Sequence, residues 1–263
     1  MPVFDIAACM AIMDNLTAIA ARAAIAIRQS GPRSVRRKAD GSLVTRADEA
    51  SEAVICQGLK DLAPDVSIVS EEQAARKARA ASDRSGSYFL VDPLDGTREF
   101  IAGRDEFTVN IALLSGGTPI VGIVAAPALE LCWRGIVGQS ADRVALAGNA
   151  SPTAIHTRPR PPKPVVMISR SHLDPNTRAY LETLPSSVTE ARGSSIKFCR
   201  IAEGGADLYP RLAPTHDWDV AAGHAIVAAA GGAVTAADRS PVVYGTRDLL
   251  IPLFIATGDP SRP

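Results

Sequence analysis

Tyr88-Phe89-Leu90-Val91-Asp92-Pro93-Leu94-Asp95-Gly96-Thr97 is an apolar run that breaks into two carboxylates, a proline and a glycine. Apolar and aromatic residues bounded by turn formers predict a short buried strand over Tyr88–Val91. Asp92 leaves that strand, and Pro93 is expected to fix a turn that brings Asp95 back towards it. Two carboxylates three residues apart on a rigid turn suit two hard divalent cations roughly 3.5–4 Å apart, the separation used in phosphoryl transfer. Gly96 lets a ligand approach the backbone closely and offers N–H groups to phosphate oxygens, while Thr97 adds a hydroxyl. The same letters also make a good turn with no chemistry, so the segment alone leaves both readings open.

Working outward, two further acidic clusters stand where strands or turns are expected to end: Glu71-Glu72, and Asp217 with Asp219. Thr45-Arg46-Ala47-Asp48 has the spacing of a helix capping box. Asp219 has an equally plain reading as a helix cap, where an anion meets the positive end of the dipole. His216-Asp217 is read as loop.

Residues 4–28 place Ile6, Met10, Met13, Leu16, Ala20, Ala24 and Ile27 three or four apart, which predicts an amphipathic helix ending before Gly31-Pro32. A second helix is expected from Thr45 to about Leu62. Short strands follow at Val66–Ser70, Phe107–Leu114, Pro119–Ala126, Leu131–Val137 and Val144–Ala147, the middle ones an antiparallel meander with a Gly116-Gly117 turn. Ala74–Gly86 reads as a mobile loop. Thr157–Pro164 holds four prolines and marks a boundary. Beyond it come a strand at Val165–Ser169, helices near Pro175–Thr183 and Asp219–Ala230, a segment at Ser195–Glu203 and a strand at Leu250–Ala256. Residues 1–150 thus read as an α+β lobe and 151–263 as an α/β lobe.

Composition narrows the function classes. Of 263 residues, 46% are hydrophobic and 21% charged, an ordinary globular balance, and 28 basic residues meet 28 acidic ones. A chain with no basic excess lacks the electrostatic footprint of a nucleic-acid binder. Cys9, Cys56, Cys132 and Cys199 are scattered, with no C-x-x-C pair, which predicts reduced buried thiols and a cytoplasmic protein. No secretory leader and no transmembrane segment are expected. There is no G-x-x-x-x-G-K-[ST] for a P-loop enzyme and no G-x-G-x-x-G for a dinucleotide fold.

Val44-Thr45-Arg46-Ala47-Asp48, Ser70-Glu71-Glu72, Asp92–Thr97 and Trp218-Asp219 occur in the order and spacing of the inositol monophosphatase superfamily, which the chain resembles over nearly its whole length. Glu99-Phe100-Ile101, Phe107–Ala112, Ser169-Arg170-Ser171-His172, Gly193–Cys199 and Trp218–His224 are similar to one branch, the CysQ-type 3′(2′),5′-bisphosphate nucleotidases. The resemblance implies a layered α-β-α-β-α sandwich of the sugar-phosphatase fold, an α+β / α/β class. It implies Mg²⁺, two or three ions per site, on Glu71, Asp92, the Leu94 carbonyl, Asp95 and Asp219. It implies Thr97 and Asp48 as the pair that orients and activates the attacking water. Gly96, Thr97, Ser169, His172, Gly193 and Lys197 fall on substrate-contacting positions, so the first lobe would carry most metal ligands and the second the nucleotide contacts and Asp219. Lys38 is nearest to a lysine the family often has, and lithium sensitivity is typical of it. The expected substrate is a small phosphorylated nucleotide, adenosine 3′,5′-bisphosphate or its sulfated relative. Inositol monophosphatase, inositol polyphosphate 1-phosphatase, fructose-1,6-bisphosphatase and a non-catalytic phosphonucleotide sensor stay open as alternatives, as do monomer or homodimer and peripheral association with the inner membrane face.

Overall fold

The computed structural model describes residues 4–32, 34–38, 41–74, 86–148, 151–184, 186–251 and 253–261. Most of the expected loop at Ala74–Gly86 lies outside them. Helix α1 (Ile6–Ser30) begins where the Asp5 carboxylate accepts from the Ala8 amide at 2.8 Å. Its buried stripe runs Cys9, Met13, Leu16, Ile19, Ala20, Ala23, Ala24 and Ile27. Met10 and Ile6 are exposed, so at the N-terminal end Cys9 is the residue turned into the core. By length and composition alone, α1 is long and apolar enough to cross a membrane, as the core helix of a soluble protein can also be. Its stripe instead packs against α2 and the large sheet.

A pair of two-residue strands, β1 (Arg36–Arg37) and β2 (Leu43–Val44), precedes α2 (Arg46–Leu62). The large sheet then forms from β3 (Ser67–Ser70), β4 (Ser87–Asp95), β5 (Thr108–Ser115), β6 (Thr118–Ala126), β7 (Leu131–Ile136), β8 (Ser140–Ala145) and β9 (Thr153–Ile155), in that spatial order. Only β3 and β4 run parallel; the rest is a meander. Two short helices interrupt it, α3 (Glu71–Ala74) after β3 and α4 (Thr97–Ile101) after β4. The Gly116-Gly117 turn has φ of +56° and +75°, the conformation a tight hairpin needs.

The second sheet has the order β11-β10-β12-β16-β14, from β10 (Val165–Ser169), β11 (Val188–Arg192), β12 (Leu208–Arg211), β14 (Ala233–Ala236) and β16 (Phe254–Thr257). Here β10 is parallel to both neighbours and β16 antiparallel to both of its own. β13 (Thr215–His216) pairs with β15 (Leu250–Ile251) apart from it, so the expected strand at Leu250–Ala256 is two short ones. Helices α6 (Ile196–Ala202) and α7 (Asp217–Ala229) lie between the sheets, and α5 (Pro175–Glu182) lies against β12.

The layers follow from alternation along strands. Phe89 and Val91 of β4 join α1 and α2 in one core, while Tyr88 and Leu90 join α6, α7 and the second sheet in the other. α7 can lie so close because β6 and β7 carry glycine beneath it. A Cβ at Gly122 would stand 2.2 Å from the Ala222 carbonyl oxygen, and one at Gly135 would stand 2.9 Å from Ile226 Cα. The result is the α-β-α-β-α sandwich.

Candidate active site

β4 does not stop at Val91. It continues to Asp95, and its pairing with β5 slips between Asp92 and Asp95, so the expected turn is a bulge within the strand. Proline, which has no N–H to give a ladder, is tolerated at such a break. The Asp92 carboxylate accepts from the Leu94 amide at 3.0 Å, holding the kink. Gly96 follows with φ +91°, a left-handed conformation, and caps α4. Its missing Cβ would meet the Glu106 carbonyl oxygen at 3.0 Å.

The capping box expected at Thr45–Asp48 is present, and Asp48 divides its oxygens between that cap and Thr97. Oδ2 accepts from the Thr45 amide at 2.8 Å and the Thr45 hydroxyl at 2.6 Å. Oδ1 faces the Thr97 hydroxyl at 3.1 Å, and that hydroxyl also lies 3.2 Å from the Leu94 carbonyl oxygen. Asp48 is buried, and burial raises its carboxyl above the usual range against the pull of these hydrogen bonds.

Asp219 arrives on the first turn of α7, where its Oδ2 accepts from the Thr215 hydroxyl and from the His216 amide at 3.2 Å. The helix starts two residues earlier than expected, at Asp217, with His216 as its cap and the His216 ring stacked on Trp218 at 4.5 Å. Asp217 points away from the site, accepting from the Gly245 amide at 2.6 Å. Glu71 opens α3, and the Lys38 ammonium sits 2.7 Å from both Glu71 and Glu72.

Glu71, Asp92, Asp95 and Asp219 all border one cavity of about 540 Å³ between the two sheets. Burial, then Glu72 and Asp219, lift Glu71 to about 8 against the Lys38 charge. Burial, then Glu71, Asp95 and Asp219, push Asp92 well above the usual carboxylate range. Burial and Asp219 raise Asp95 to about 6. Crowded buried carboxylates that raise one another mark a place for positive charge. The donors are all hard oxygens, which fits Mg²⁺, an ion that takes a few carboxylates and keeps several waters. Among the described residues, no three His, Cys, Asp or Glu side chains are gathered closely enough to hold a metal ion by themselves, so these carboxylates border the cavity without forming a preassembled ligand cluster.

Ser169, His172, Gly193 and Lys197 line the same cavity. Lys197 is 4% exposed, donates to the carbonyl oxygens of Ser194 and Arg192, and lies 5.1 Å from the Tyr209 ring centre. Burial pushes it down to about 8, offset in part by Asp95. His172 lies at the rim with Nε2 3.0 Å from Arg98, and burial with the Arg98 and Arg211 charges lowers its pKa below the ordinary histidine value.

A buried network went unread in the sequence. Asp95 Oδ2 accepts from Ser195 Oγ at 3.0 Å and Asn110 Nδ2 at 3.3 Å, and Ser195 Oγ lies 3.1 Å from the Asp219 carbonyl oxygen. Asn110 Nδ2 also donates to Ser195 at 2.9 Å. A lone amide in the apolar run Phe107–Ala112 was the available signal, since a buried amide needs partners.

Residues 8–258 match the inositol monophosphatase family, and the chain belongs to it. It is 43% identical over 242 residues, 90% of this chain and 95% of the other, to the 3′(2′),5′-bisphosphate nucleotidase CysQ of Escherichia coli K12. Among solved structures, CysQ from Bacteroides thetaiotaomicron superposes with TM-score 0.76 at 32% identity, covering 93% of this chain and 96% of that one. An inositol monophosphatase from Anabaena gives 0.75 at 26% identity, covering 95% and 91%.

Proposed function

We propose that this chain removes the 3′-phosphate of adenosine 3′,5′-bisphosphate in a Mg²⁺-dependent hydrolysis, yielding AMP and phosphate, with the 5′-sulfated relative as a second substrate. The observation that carries it is the Thr97 hydroxyl, paired with the buried Asp48 carboxylate, in one cavity with the Glu71, Asp92, Asp95 and Asp219 carboxylates. The likeness to nucleotidases named CysQ supports the substrate.

Two or three Mg²⁺ ions on Glu71, Asp92, the Leu94 carbonyl, Asp95 and Asp219 would neutralise phosphate charge and acidify water when bound. The protein's own part is positioning. With its proton held by Asp48, the Thr97 hydroxyl presents lone pairs to a water O–H and aims the oxygen at the 3′-phosphorus. Burial makes the Asp48 carboxylate more basic, suited to hold the proton that water gives up. The new phosphorus–oxygen bond forms as the bond to the ribose 3′-oxygen breaks, and that oxygen leaves as the alcohol with a proton from solvent. Ser169, His172, Gly193 and Lys197 would hold the nucleoside and its second phosphate, and Gly96 the reacting one.

The test is a panel of adenosine 3′,5′-bisphosphate, its sulfated relative, inositol monophosphate, inositol 1,4-bisphosphate and fructose 1,6-bisphosphate, with Mg²⁺ and with or without lithium. Highest kcat/KM on the nucleotide, lost with chelator and inhibited by lithium, is expected. Equal or better turnover of an inositol or sugar phosphate would move the assignment there. Asp95→Asn should stay folded and lose metal-dependent turnover.

A further inference from the structure

Glu106 belongs to the link between α4 and β5, on the side of the large sheet, and the notable feature is how much of the other sheet it holds. Its Oε2 accepts from Arg170 Nε at 2.7 Å and from the Gly193 amide at 2.9 Å. Its Oε1 accepts from Arg170 Nη2 at 2.7 Å and Arg192 Nη1 at 3.3 Å. Arg170 follows β10 and Arg192 ends β11, so one carboxylate ties down the ends of two parallel strands. Arg170 also donates to the Ala191 carbonyl at 2.8 Å. The backbones close in at the same point: a Cβ on Gly193 would lie 2.6 Å from the Glu106 carbonyl oxygen and 2.8 Å from Glu99 Cγ. Glu99, on α4, meanwhile accepts from the Ser171 hydroxyl.

The segment so held lines the cavity. Gly193 and Ser194 border it directly, and the Arg192 and Ser194 carbonyls hold the Lys197 ammonium. Glu106 itself does not border the cavity. The favourable multi-point pairing keeps its carboxyl down at about 2, the Arg170 hydrogen bonds outweighing burial.

We propose that Glu106 is a positioning residue that fixes where the Ser169–Gly193 part of the cavity lining sits relative to the carboxylates, and so sets affinity for substrates that reach both. This rests on the nucleotide reading above. A small ester such as p-nitrophenyl phosphate needs the carboxylates alone, whereas adenosine 3′,5′-bisphosphate needs both.

In Glu106→Gln, KM for adenosine 3′,5′-bisphosphate should rise about tenfold with kcat within about twofold, the signature of lost uniform binding. Turnover of p-nitrophenyl phosphate and the half-saturating Mg²⁺ concentration should match wild type. A parallel fall in kcat on both esters, or an unchanged KM in the folded variant, overturns the proposal. Arg170→Gln, which removes two of the four bonds and leaves the Gly193 and Arg192 contacts, should show the same split in smaller degree; if Glu106→Gln does not fold, a wild-type KM in Arg170→Gln overturns it. A wild-type enzyme that leaves the nucleotide intact defeats the nucleotide reading instead. The clamp is then judged by KM for the largest ester the enzyme accepts against p-nitrophenyl phosphate.

Discussion

Gly122→Ala should damage catalysis from a position that touches no substrate. The added Cβ would stand 2.2 Å from the Ala222 carbonyl oxygen, and 3.0 Å from Ala225 Cβ. The obstacle is backbone of α7, so no side chain can swing aside. Restoring a tight but tolerable separation of about 3.2 Å requires α7 to retreat by about 1 Å from β6. Overpacking of this kind costs about 3 kcal/mol at the upper end. For a chain of this size that lowers Tm by about 6–12 °C. Asp219 lies three residues before Ala222 on the same helix, so it moves with it. A misplacement near 1 Å at a reacting centre costs about 100-fold in rate. Thermal melts and initial rates with saturating Mg²⁺ measure both. Gly116→Ala is the control: its φ is +56° and nothing lies within 4 Å, so it should cost stability by about 1 kcal/mol through backbone strain and leave kcat intact. A Gly122→Ala enzyme with wild-type Tm and rate would refute the seating of α7. One that melts early yet turns over normally would refute the dependence of Asp219 on that seating.

Asp48→Asn should cost about 1 kcal/mol through the weakened cap of α2, seen in chemical denaturation, and reduce kcat far more than KM. Lys197→Met should raise Tm near pH 7, since burial disfavours its charge, while raising KM for adenosine 3′,5′-bisphosphate more than for inositol monophosphate. The Glu106 carboxyl, lowered from 4.5 to about 2, favours the fold above the unfolded pKa, and that contribution fades as pH falls towards 2. The full displacement corresponds to about 3 kcal/mol, and partly exposed arginine partners reduce it to about 1–2 kcal/mol. The Tm gap between wild type and Glu106→Gln should therefore narrow as pH drops from 6 to 3; a constant gap would contradict the pairing.

Elements with a clear period were legible. α1, α2 and the meander β5–β7 follow from apolar spacing and turn residues, and β10 and α5 follow the proline run. The two-residue strands β1, β2, β13 and β15 carry no period, and β9, β11 and β14 are short and largely exposed or edge-placed. β4 was read too short because proline normally ends a strand, and here a bulge absorbs it. The acidic residues bordering the cavity stood out because Asp92 and Asp95 interrupt an apolar run, Glu71 opens α3 and Asp219 lies in the first turn of α7. The burial of Lys197 was not, since the carbonyls and ring that shelter it come from Arg192, Ser194 and Tyr209, brought together only by the second sheet. Ser195 and Asn110 were missed for the same reason: their partners lie 100 and 15 residues away in sequence.

The divided carboxylate of Asp48 has an evolutionary consequence. One oxygen starts a helix and the other accepts from the Thr97 hydroxyl, which the proposed mechanism uses to aim the nucleophile. Under that mechanism, selection for a stable chain and selection for turnover fall on one side chain, and a replacement that relaxes either duty degrades both. Such a position can change only together with its neighbours, Thr45 and Thr97, so drift in this enzyme should move through that trio as a unit.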